Sequence, residues 1–457
     1  MANLRYDVLV IGAGAAGSTA SSVARERGAH VGLIERDQIG GTCLNYGCDP
    51  TKTLLHIAGI LHQARHSSLY GLRFSGIDYN WSAVQEYTHK AINQIRGGTS
   101  DQASAHLRQQ GIEVIKGEAH FLSSHEMQIG EQTIYAEQIV IATGSETRIL
   151  PIEGLKEAGF ITNKEAVSLP ALPARLAVIG GGAIGMEFAQ MFHRFGVQVT
   201  VLERDQHLLD KEDQELVDIL RDLLAQEGLS MLTGADVQHV ERTAHGKQLV
   251  YQDTRGEKKT LEADEILFSI GRKPDLAALN LEAAGVQISK KGIAVDNMMR
   301  TNVPHIWAAG DVTGGYQFTH FATEQGRVAG YNATARQPKP LEPHHVPWVT
   351  YTDPSLAHVG QTEEQLRQAG IPYKVSRVRF SDIERAVADG HVEGLYKILV
   401  DEQGHILGSH ILGRNAGDLL APLIVAMQAN IPVAELAAAI MPYPTLVEGM
   451  RRAAGQI

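Results

Sequence analysis

Cys43 and Cys48 are the two cysteines of a 457-residue chain, and both fall within GGTCLNYGCDPTKTLLH, residues 40–56. A thiol does chemistry as its thiolate, which is the nucleophile, the electron donor and the metal ligand. Two thiols in one short loop are either a reactive pair or two unrelated buried side chains, and spacing alone leaves both open. A bridge closing so short a loop would constrain little chain, about 2 kcal/mol in the entropy model.

Two glycine clusters point to a second kind of chemistry. Gly12, Gly14 and Gly17 form a G-x-G-x-x-G run, and Glu35 follows the first of them by 23 residues. Gly180, Gly182 and Gly185 repeat the pattern, with Glu203 at the same distance. Each run follows an apolar strand pattern and opens a helical one. The first glycine permits the tight turn, the second lets backbone approach a pyrophosphate, and the third lets helix and strand pack closely. The unpaired N–H groups of the helix start then face the phosphates, and the acid binds ribose hydroxyls. The chain is therefore expected to hold two dinucleotides.

The remaining titratable residues suggest no further centre. Of the 20 histidines, His62 and His66 lie four apart on a helical pattern, His56 precedes them, and His344 and His345 sit in a proline-rich stretch. None adds a ligand spacing that defines a metal site, so no metal site is expected. A G-x-S-x-G nucleophile motif is absent. The net charge of −11 and the pI of about 6.0 argue against nucleic acid or an anionic membrane as partner. No run of 18 apolar residues suggests a membrane span. The opening MANLRYDVLVIGAG shows no basic and apolar leader pattern, so no signal peptide is expected. The expected compartment is the cytosol, where structural disulfides are rare.

Elements that must position these groups can be read along the chain. Residues 6–35 and 176–203 each read strand, glycine turn, helix, strand. RQPKPLEPHHVPW at 336–348, with Pro338, Pro340, Pro343 and Pro347, reads as a linker. YKVSRVRF and the hairpin GLYKILVDEQGHILGSHILG read as strands, and AGDLLAPLIVAMQAN and TLVEGMRRAAG as helices. With 44% hydrophobic and 20% charged residues, a chain of this length suits about three globular domains. The expected class is α/β, with two Rossmann-like dinucleotide-binding domains and a C-terminal α+β domain.

Taken together, GAGAAG, GGTCLNYGCDPTK, ATGS at 142–145, GGGAIGMEFA at 180–189, GRKPD and AAGDV at 308–312 resemble the flavoprotein disulfide reductases. This is the class I pyridine nucleotide-disulfide oxidoreductase family, which includes dihydrolipoamide dehydrogenase, glutathione reductase and mercuric reductase. The resemblance implies an FAD-binding domain at 1–150 and 273–340, a NAD(P)-binding domain at 151–272, and a dimer-interface domain at 341–457. It places Gly12, Gly14, Gly17, Glu35, Gly41, Thr42, Lys52, Thr143, Gly144 and Asp311 at FAD. Gly180, Gly182, Gly185, Glu203 and Gly271 then belong to cofactor binding around the nicotinamide dinucleotide. Glu203 favours NADH over NADPH, although Arg204 beside it leaves NADPH possible. Cys48 is implied to be the thiol that faces the flavin and Cys43 the one that faces the second substrate. Lys52 and Glu187 match the family's lysine and carboxylate near the flavin's reactive nitrogen. Pro50 suits the first turn of a helix beginning just after Cys48, whose N-terminus would stabilise a thiolate.

Two departures matter. Asp49 stands beside Cys48, where its charge would disfavour thiolates; a helix cap is its simpler role. Within MPYPTLVEGMRRAAG, at 441–455, Tyr443 stands where disulfide-reducing members carry a catalytic histidine, while Glu448 is kept. That tail is similar to mercuric reductase, but the sequence shows neither the C-terminal cysteine pair nor the N-terminal metal-binding domain of that enzyme. The expectation is a homodimeric, FAD-dependent, NADH-linked oxidoreductase. Electrons pass through Cys43 and Cys48 to an acceptor that is a small molecule or a metal ion such as Hg(II) or Cu(II). The alternatives are a disulfide reductase of the dihydrolipoamide dehydrogenase type and a redox-sensing or assembly flavoprotein.

Overall fold

A computed structural model describes residues 4–342 and 345–457; Pro343 and His344 of the proline-rich stretch lie outside the described residues. The chain divides into two compact units, one of residues 4–54, 80–149 and 271–342, the other of residues 55–79, 150–270 and 345–457.

The first unit is built on a seven-stranded sheet. Ile112–Lys116, Val31–Glu35, Leu4–Ile11 and Gln132–Ile141 run parallel in that order, Ile306–Ala308 pairs with the last of them, and two short antiparallel strands extend the edge. Alternate residues of a strand face opposite sides of the sheet. Val8, Val10, Val31 and Leu33 accordingly pack into one core layer, and Leu9, Ile11 and Ile34 into the other. Burial on both faces is why these strands are near-continuous apolar runs.

The Ala15–Glu26 helix covers one face and packs on the Thr319–Asn332 helix. Gly326 and Gly330, one turn apart, make this possible. A Cβ at Gly326 would lie 2.2 Å from the Ala16 carbonyl oxygen, and one at Gly330 2.4 Å from that of Ala20. The helices touch backbone to backbone, which fixes the helix that begins at Thr319.

The second unit holds three sheets. Ser230–Thr233, Gln198–Glu203, Arg175–Ile179 and Glu265–Phe268 form a parallel sheet, covered by the Ala183–Arg194 helix. That helix is buried almost all round, including its polar Glu187, Gln190 and Arg194. A three-stranded antiparallel sheet follows. The C-terminal part is a five-stranded antiparallel sheet in the order Trp348–Thr350, Ser355–Gly360, Ile406–Gly413, Leu395–Val400, Lys374–Arg379. The Ala416–Gln428 and Glu448–Ala454 helices pack their apolar residues against this sheet.

The C-terminal sheet carries one unusual row. Trp348 is paired with His358, His358 with His410, His410 with Lys397, and Lys397 with Arg377. Five polar or aromatic side chains thus cross the sheet side by side. His358, His410 and Lys397 are buried, so their polar atoms need partners from elsewhere in the unit.

Candidate active site

The two thiols stand on either side of a helix break. A short helix, Gly41–Tyr46, carries Cys43 and ends at Gly47, whose φ of −129° and ψ of −114° interrupt the chain. The long Cys48–Arg65 helix starts at once. Cys48 is therefore its first residue, one position earlier than the sequence suggested. Asp49 falls on the second helical position and is not the cap. Pro50 occupies the first turn, where its missing N–H has no helical partner to lose.

This placement polarises the pair. Both cysteines are free thiols. Cys48 is held well below the usual thiol range, first by a hydrogen bond from Cys43 and then by the Lys52 cation and the Thr319 hydroxyl. Cys43 is pushed up, chiefly as donor of that hydrogen bond and secondarily by burial. The start of the helix, with its unpaired N–H groups, acts in the same direction on Cys48. Asp49 opposes ionisation of both thiols, as its charge predicts. Its own carboxyl is raised by burial, with Lys52 acting against that. The pair shares one proton, which sits on Cys43.

Thr319 gave no signal in the sequence. Its Oγ1 lies 3.7 Å from Cys48 Sγ, because the glycine-packed helix described above delivers it there. Arg272, from GRKPD, was also missed as a contact residue. Its guanidinium donates to the Ser145 hydroxyl at 2.8 Å and carbonyl at 2.6 Å and reaches Thr42 Oγ1 at 3.5 Å. Ser145 in turn donates to Asp311 Oδ2 at 2.5 Å. Thr143 donates to the Asp275 carbonyl at 2.8 Å, and the Gly144 carbonyl accepts from the Asp275 N–H at 3.1 Å.

The two glycine loops have the same construction. A Cβ at Gly17 would lie 1.8 Å from the Gly12 carbonyl oxygen, and one at Gly185 2.0 Å from that of Gly180. The helices start at Gly14 and Gly182, neither of which has a side chain to cap them. Their first N–H groups are left for a ligand. Glu35 accepts the N–H of Ala13 at 2.8 Å and of Asp37 at 2.6 Å. Glu203 accepts those of Gly181 at 2.7 Å and Asp205 at 2.9 Å. Each acid spans its loop and retains lone pairs for a ribose. Gly41 comes so close to Gly14 that a Cβ on it would lie 2.7 Å from the Gly14 Cα. The uncapped helix starts, the placed acids and the donors around Asp311 suit a dinucleotide at each loop.

The first unit thus assembles Gly12, Gly14, Gly17, Glu35, Gly41, Thr42, Cys43, Cys48, Lys52, Thr143, Gly144, Gly271 and Asp311. The second carries Gly180, Gly182, Gly185, Glu187, Glu203, Tyr443 and Glu448. Glu187 is 4% exposed and accepts the Tyr351 N–H at 2.8 Å, so it does not lie on a solvated helix face. Tyr443 is 70% exposed. Glu448 opens the C-terminal helix, and its Oε2 is buried without a hydrogen-bond partner among the described residues. The rings of His62 and His66 lie 4.2 Å apart, tilted by 34°, with Glu227 3.4 Å from His62. Among the described residues no three His, Cys, Asp or Glu side chains group as a metal site. None of the described helices is long and apolar enough to cross a membrane.

Comparison with known proteins decides the family. Residues 6–326 match the pyridine nucleotide-disulphide oxidoreductase model, and residues 346–454 match the dimerisation domain of the same group. The chain belongs to the pyridine nucleotide-disulphide oxidoreductases. It is 35% identical over 451 residues to a mercuric reductase of Staphylococcus aureus, covering 98% of this chain and 82% of that one. It is likewise 35% identical to a dihydrolipoyl dehydrogenase of Bacillus subtilis, with 97% of each covered. Among solved structures it is similar to the HOCl-induced flavoprotein disulfide reductase RclA of Escherichia coli, with a TM-score of 0.89 and 29% identity over 99% of this chain and 100% of that one. A Cu(II) complex of RclA superposes as well, with a TM-score of 0.89. As a member of this oxidoreductase family, the protein is an FAD-dependent enzyme that uses a pyridine nucleotide. The α/β class and the C-terminal dimerisation domain stand as expected.

Proposed function

We propose that the protein is an NADH-linked reductase whose Cys43–Cys48 pair passes electrons to a metal-ion acceptor such as Hg(II) or Cu(II). The polarised thiol pair, with Cys48 depressed and Cys43 holding the proton, carries the reductase part. Tyr443 carries the acceptor part: it is an exposed phenol at the position where disulfide reduction asks for a histidine.

FAD, when bound, supplies the two-electron relay between nicotinamide and disulfide. Across the first half of the reaction, NADH gives up a hydride equivalent; the S–S bond breaks, leaving the Cys43 thiol and the Cys48 thiolate. Return of this thiol–thiolate pair to the disulfide releases two electrons and one proton. That reduces one Hg(II) to Hg(0) or two Cu(II) to two Cu(I). Lys52 and the helix start hold Cys48 as the thiolate, while Cys43 keeps the shared proton until it meets the acceptor. FAD is assigned to 1–150 and 273–340, the nicotinamide dinucleotide to 151–272, and the subunit contact of a homodimer to 341–457. A cytosolic setting suits a disulfide that is catalytic.

A dihydrolipoamide dehydrogenase-type activity is the second reading, favoured by a relative of that name matched over 97% of both chains. The test is NADH oxidation by the purified holoenzyme with Hg(II), Cu(II), lipoamide, glutathione disulfide, quinones and O₂ in turn. Turnover with a metal ion well above the O₂ background supports the proposal. Efficient turnover with lipoamide and none with metals replaces it by the second reading. No turnover with any acceptor leaves a redox-sensing or assembly flavoprotein.

A further inference from the structure

The buried row on the C-terminal sheet faces a group of acids for which the reaction as described has no use. Glu212 is 5% exposed. Its Oε1 accepts from the Trp348 indole at 2.9 Å and the Thr350 hydroxyl at 3.2 Å. Its Oε2 has no hydrogen-bond partner at ordinary range among the described residues, and neither has Nδ1 of His358. These two atoms face each other at 3.6 Å.

Chemistry assigns the proton between them. His358 Nε2 lies 2.9 Å from the Gly360 carbonyl. A carbonyl only accepts, so Nε2 carries the hydrogen, and Nδ1 of the neutral ring is an acceptor. Trp348 stacks on the same ring at 3.6 Å. His410, edge-on at 4.6 Å, makes the matching bond to the Gln361 carbonyl at 3.0 Å. Burial of both rings disfavours a cation on either. The proton therefore belongs on Glu212 Oε2, directed at Nδ1.

The surrounding charges agree. Asp210, Asp213 and Glu215 come from the same segment as Glu212. Lys397 is occupied by Asp213 at 2.9 Å, Glu215 at 2.8 Å and Glu363 at 2.6 Å, and Arg377 by Glu215 and Glu363. Among the described residues no Lys or Arg pairs with Glu212. Burial, with Asp213 and Asp210 nearby, pushes Glu212 up to about 8, and burial, with His410 nearby, pushes His358 down to about 2.

The strand held by Glu212 leads directly to Glu187. Thr350 is followed by Tyr351, whose N–H meets Glu187 Oε1 at 2.8 Å. Two residues on, the Asp353 N–H meets Gln190 Oε1 at 2.8 Å, and Asp353 Oδ2 meets Arg194 at 2.7 Å. Residues 350–353 thus run in register along the Ala183–Arg194 helix.

We propose that protonated Glu212, facing the neutral His358 ring, is a positioning residue: it holds strand Trp348–Thr350, and the strand presents the Tyr351 N–H that orients the Glu187 carboxylate for the nicotinamide half-reaction. The inference rests on Glu187 serving that half-reaction. A misplaced reacting group costs about tenfold or more in rate.

Two measurements on the holoenzyme test it. The first is the rate of flavin reduction by NADH, by stopped flow from pH 6 to 10. Wild type should slow by about tenfold above pH 8, as Glu212 ionises against the His358 lone pair. Glu212→Gln should rescue that alkaline limb, because its amide oxygen accepts from Trp348 and Thr350 and its neutral NH₂ faces Nδ1 at every pH. Glu212→Ala should be slow at every pH with FAD content and NADH affinity unchanged. The second is thermal melting against pH, which reads the proton without reference to Glu187. A carboxyl neutral in the fold and ionised in the unfolded chain loses stability as pH rises. Wild type should therefore lose melting temperature relative to Glu212→Gln from about pH 5 to about pH 8. Parallel melting curves, or identical rate profiles for wild type and Glu212→Gln, overturn the proposal. Glu187→Gln with the wild-type rate removes the role of Glu187 and the positioning claim with it, whereas a slowed Glu187→Gln beside an unaffected Glu212→Ala overturns the positioning claim alone.

Discussion

Cys48 Sγ and Thr319 Oγ1 lie 3.7 Å apart although 271 residues separate them in sequence. The hydroxyl is a donor to the thiolate, and it lowers both thiols. Two-electron reduction of the holoenzyme should therefore give a long-wavelength thiolate-to-flavin absorbance. A thiolate with a depressed pKa persists at neutral pH and is protonated as pH falls through that value. The absorbance should disappear on the acid side, near pH 6. In Thr319→Val it should disappear about one pH unit higher, the size of one lost charged hydrogen bond. Cys48→Ala should abolish it at every pH. If Cys43→Ala removes it and Cys48→Ala spares it, the two thiols have exchanged roles.

NADH should be preferred over NADPH. Glu203 is fixed at the loop by the N–H groups of Gly181 and Asp205, and a 2′-phosphate would meet its charge. Arg204, the residue able to offset this, is an exposed side chain 3.8 Å from Asp205, so its cation already has an acid beside it. A like-charge contact of about 2 kcal/mol corresponds to roughly thirtyfold in kcat/KM. A preference for NADPH would mean that Arg204 reads the ribose.

These two cases show what the sequence could and could not reveal. The dinucleotide loops were legible because their demands are local: a glycine where a Cβ would strike a carbonyl, and an acid at the end of the next strand. Thr319 was silent because nothing near it in sequence mentions sulfur; its position follows from two helices meeting at Gly326 and Gly330. Asp49 was misplaced by one residue because the helix start depends on the backbone angles of Gly47. The row from Trp348 to Arg377 depends on the register of five strands. Read singly, its histidines look scattered.

Lys397 should be a structural keystone of that row. It is 2% exposed at the side chain and faces Asp213, Glu215 and Glu363. Burial lowers it, but hydrogen bonds to Glu215, Glu363 and Asp213 outweigh that and raise it overall. Its contribution is thus kept through neutral pH and lost only as pH rises through the raised value. Removing one partner of a buried ion cluster costs about 3–5 kcal/mol, so Lys397→Met should lower the melting temperature of the holoenzyme markedly. Arg377 still serves Glu215 and Glu363, leaving Asp213 as the uncompensated charge. Adding Asp213→Asn should recover part of the loss, and an unchanged melting temperature in Lys397→Met would remove this role.

The protein should sediment as a homodimer of about twice the 49.6 kDa chain mass. The C-terminal part matches the family's dimerisation domain. It exposes Val425 at 63% and Ile440 at 99%, which is costly for aliphatic side chains left in water. Val425→Asp with Ile440→Asp should shift sedimentation towards the monomer. A fully active monomer would exclude a contribution of Tyr443 and Glu448 from a second subunit.

Poor reduction of lipoamide and of glutathione disulfide should trace to Tyr443. Exchange between a dithiol and a disulfide needs a group that takes and returns a proton near neutral pH. Histidine, near 6.5 when unperturbed, does this; a phenol, near 10 in model peptides, holds its proton too tightly to act as base. A missing general acid–base group costs about 10²- to 10⁴-fold. Reduction of a metal ion held by thiolates makes no such demand, and a phenol oxygen can contact the ion or donate to its ligands. With 70% of its surface open, Tyr443 is available for such a contact. Glu448, five residues on, has a buried Oε2 without a partner among the described residues; a histidine at 443 is the group it would orient. Tyr443→His should therefore gain activity with lipoamide, and the gain should vanish in Tyr443→His with Glu448→Gln. Tyr443→Phe should lose metal-dependent NADH oxidation while keeping the long-wavelength absorbance of the reduced enzyme, because the thiol pair is untouched. Efficient lipoamide turnover by the unaltered enzyme would sink the argument, since Tyr443 would then be no obstacle to exchange.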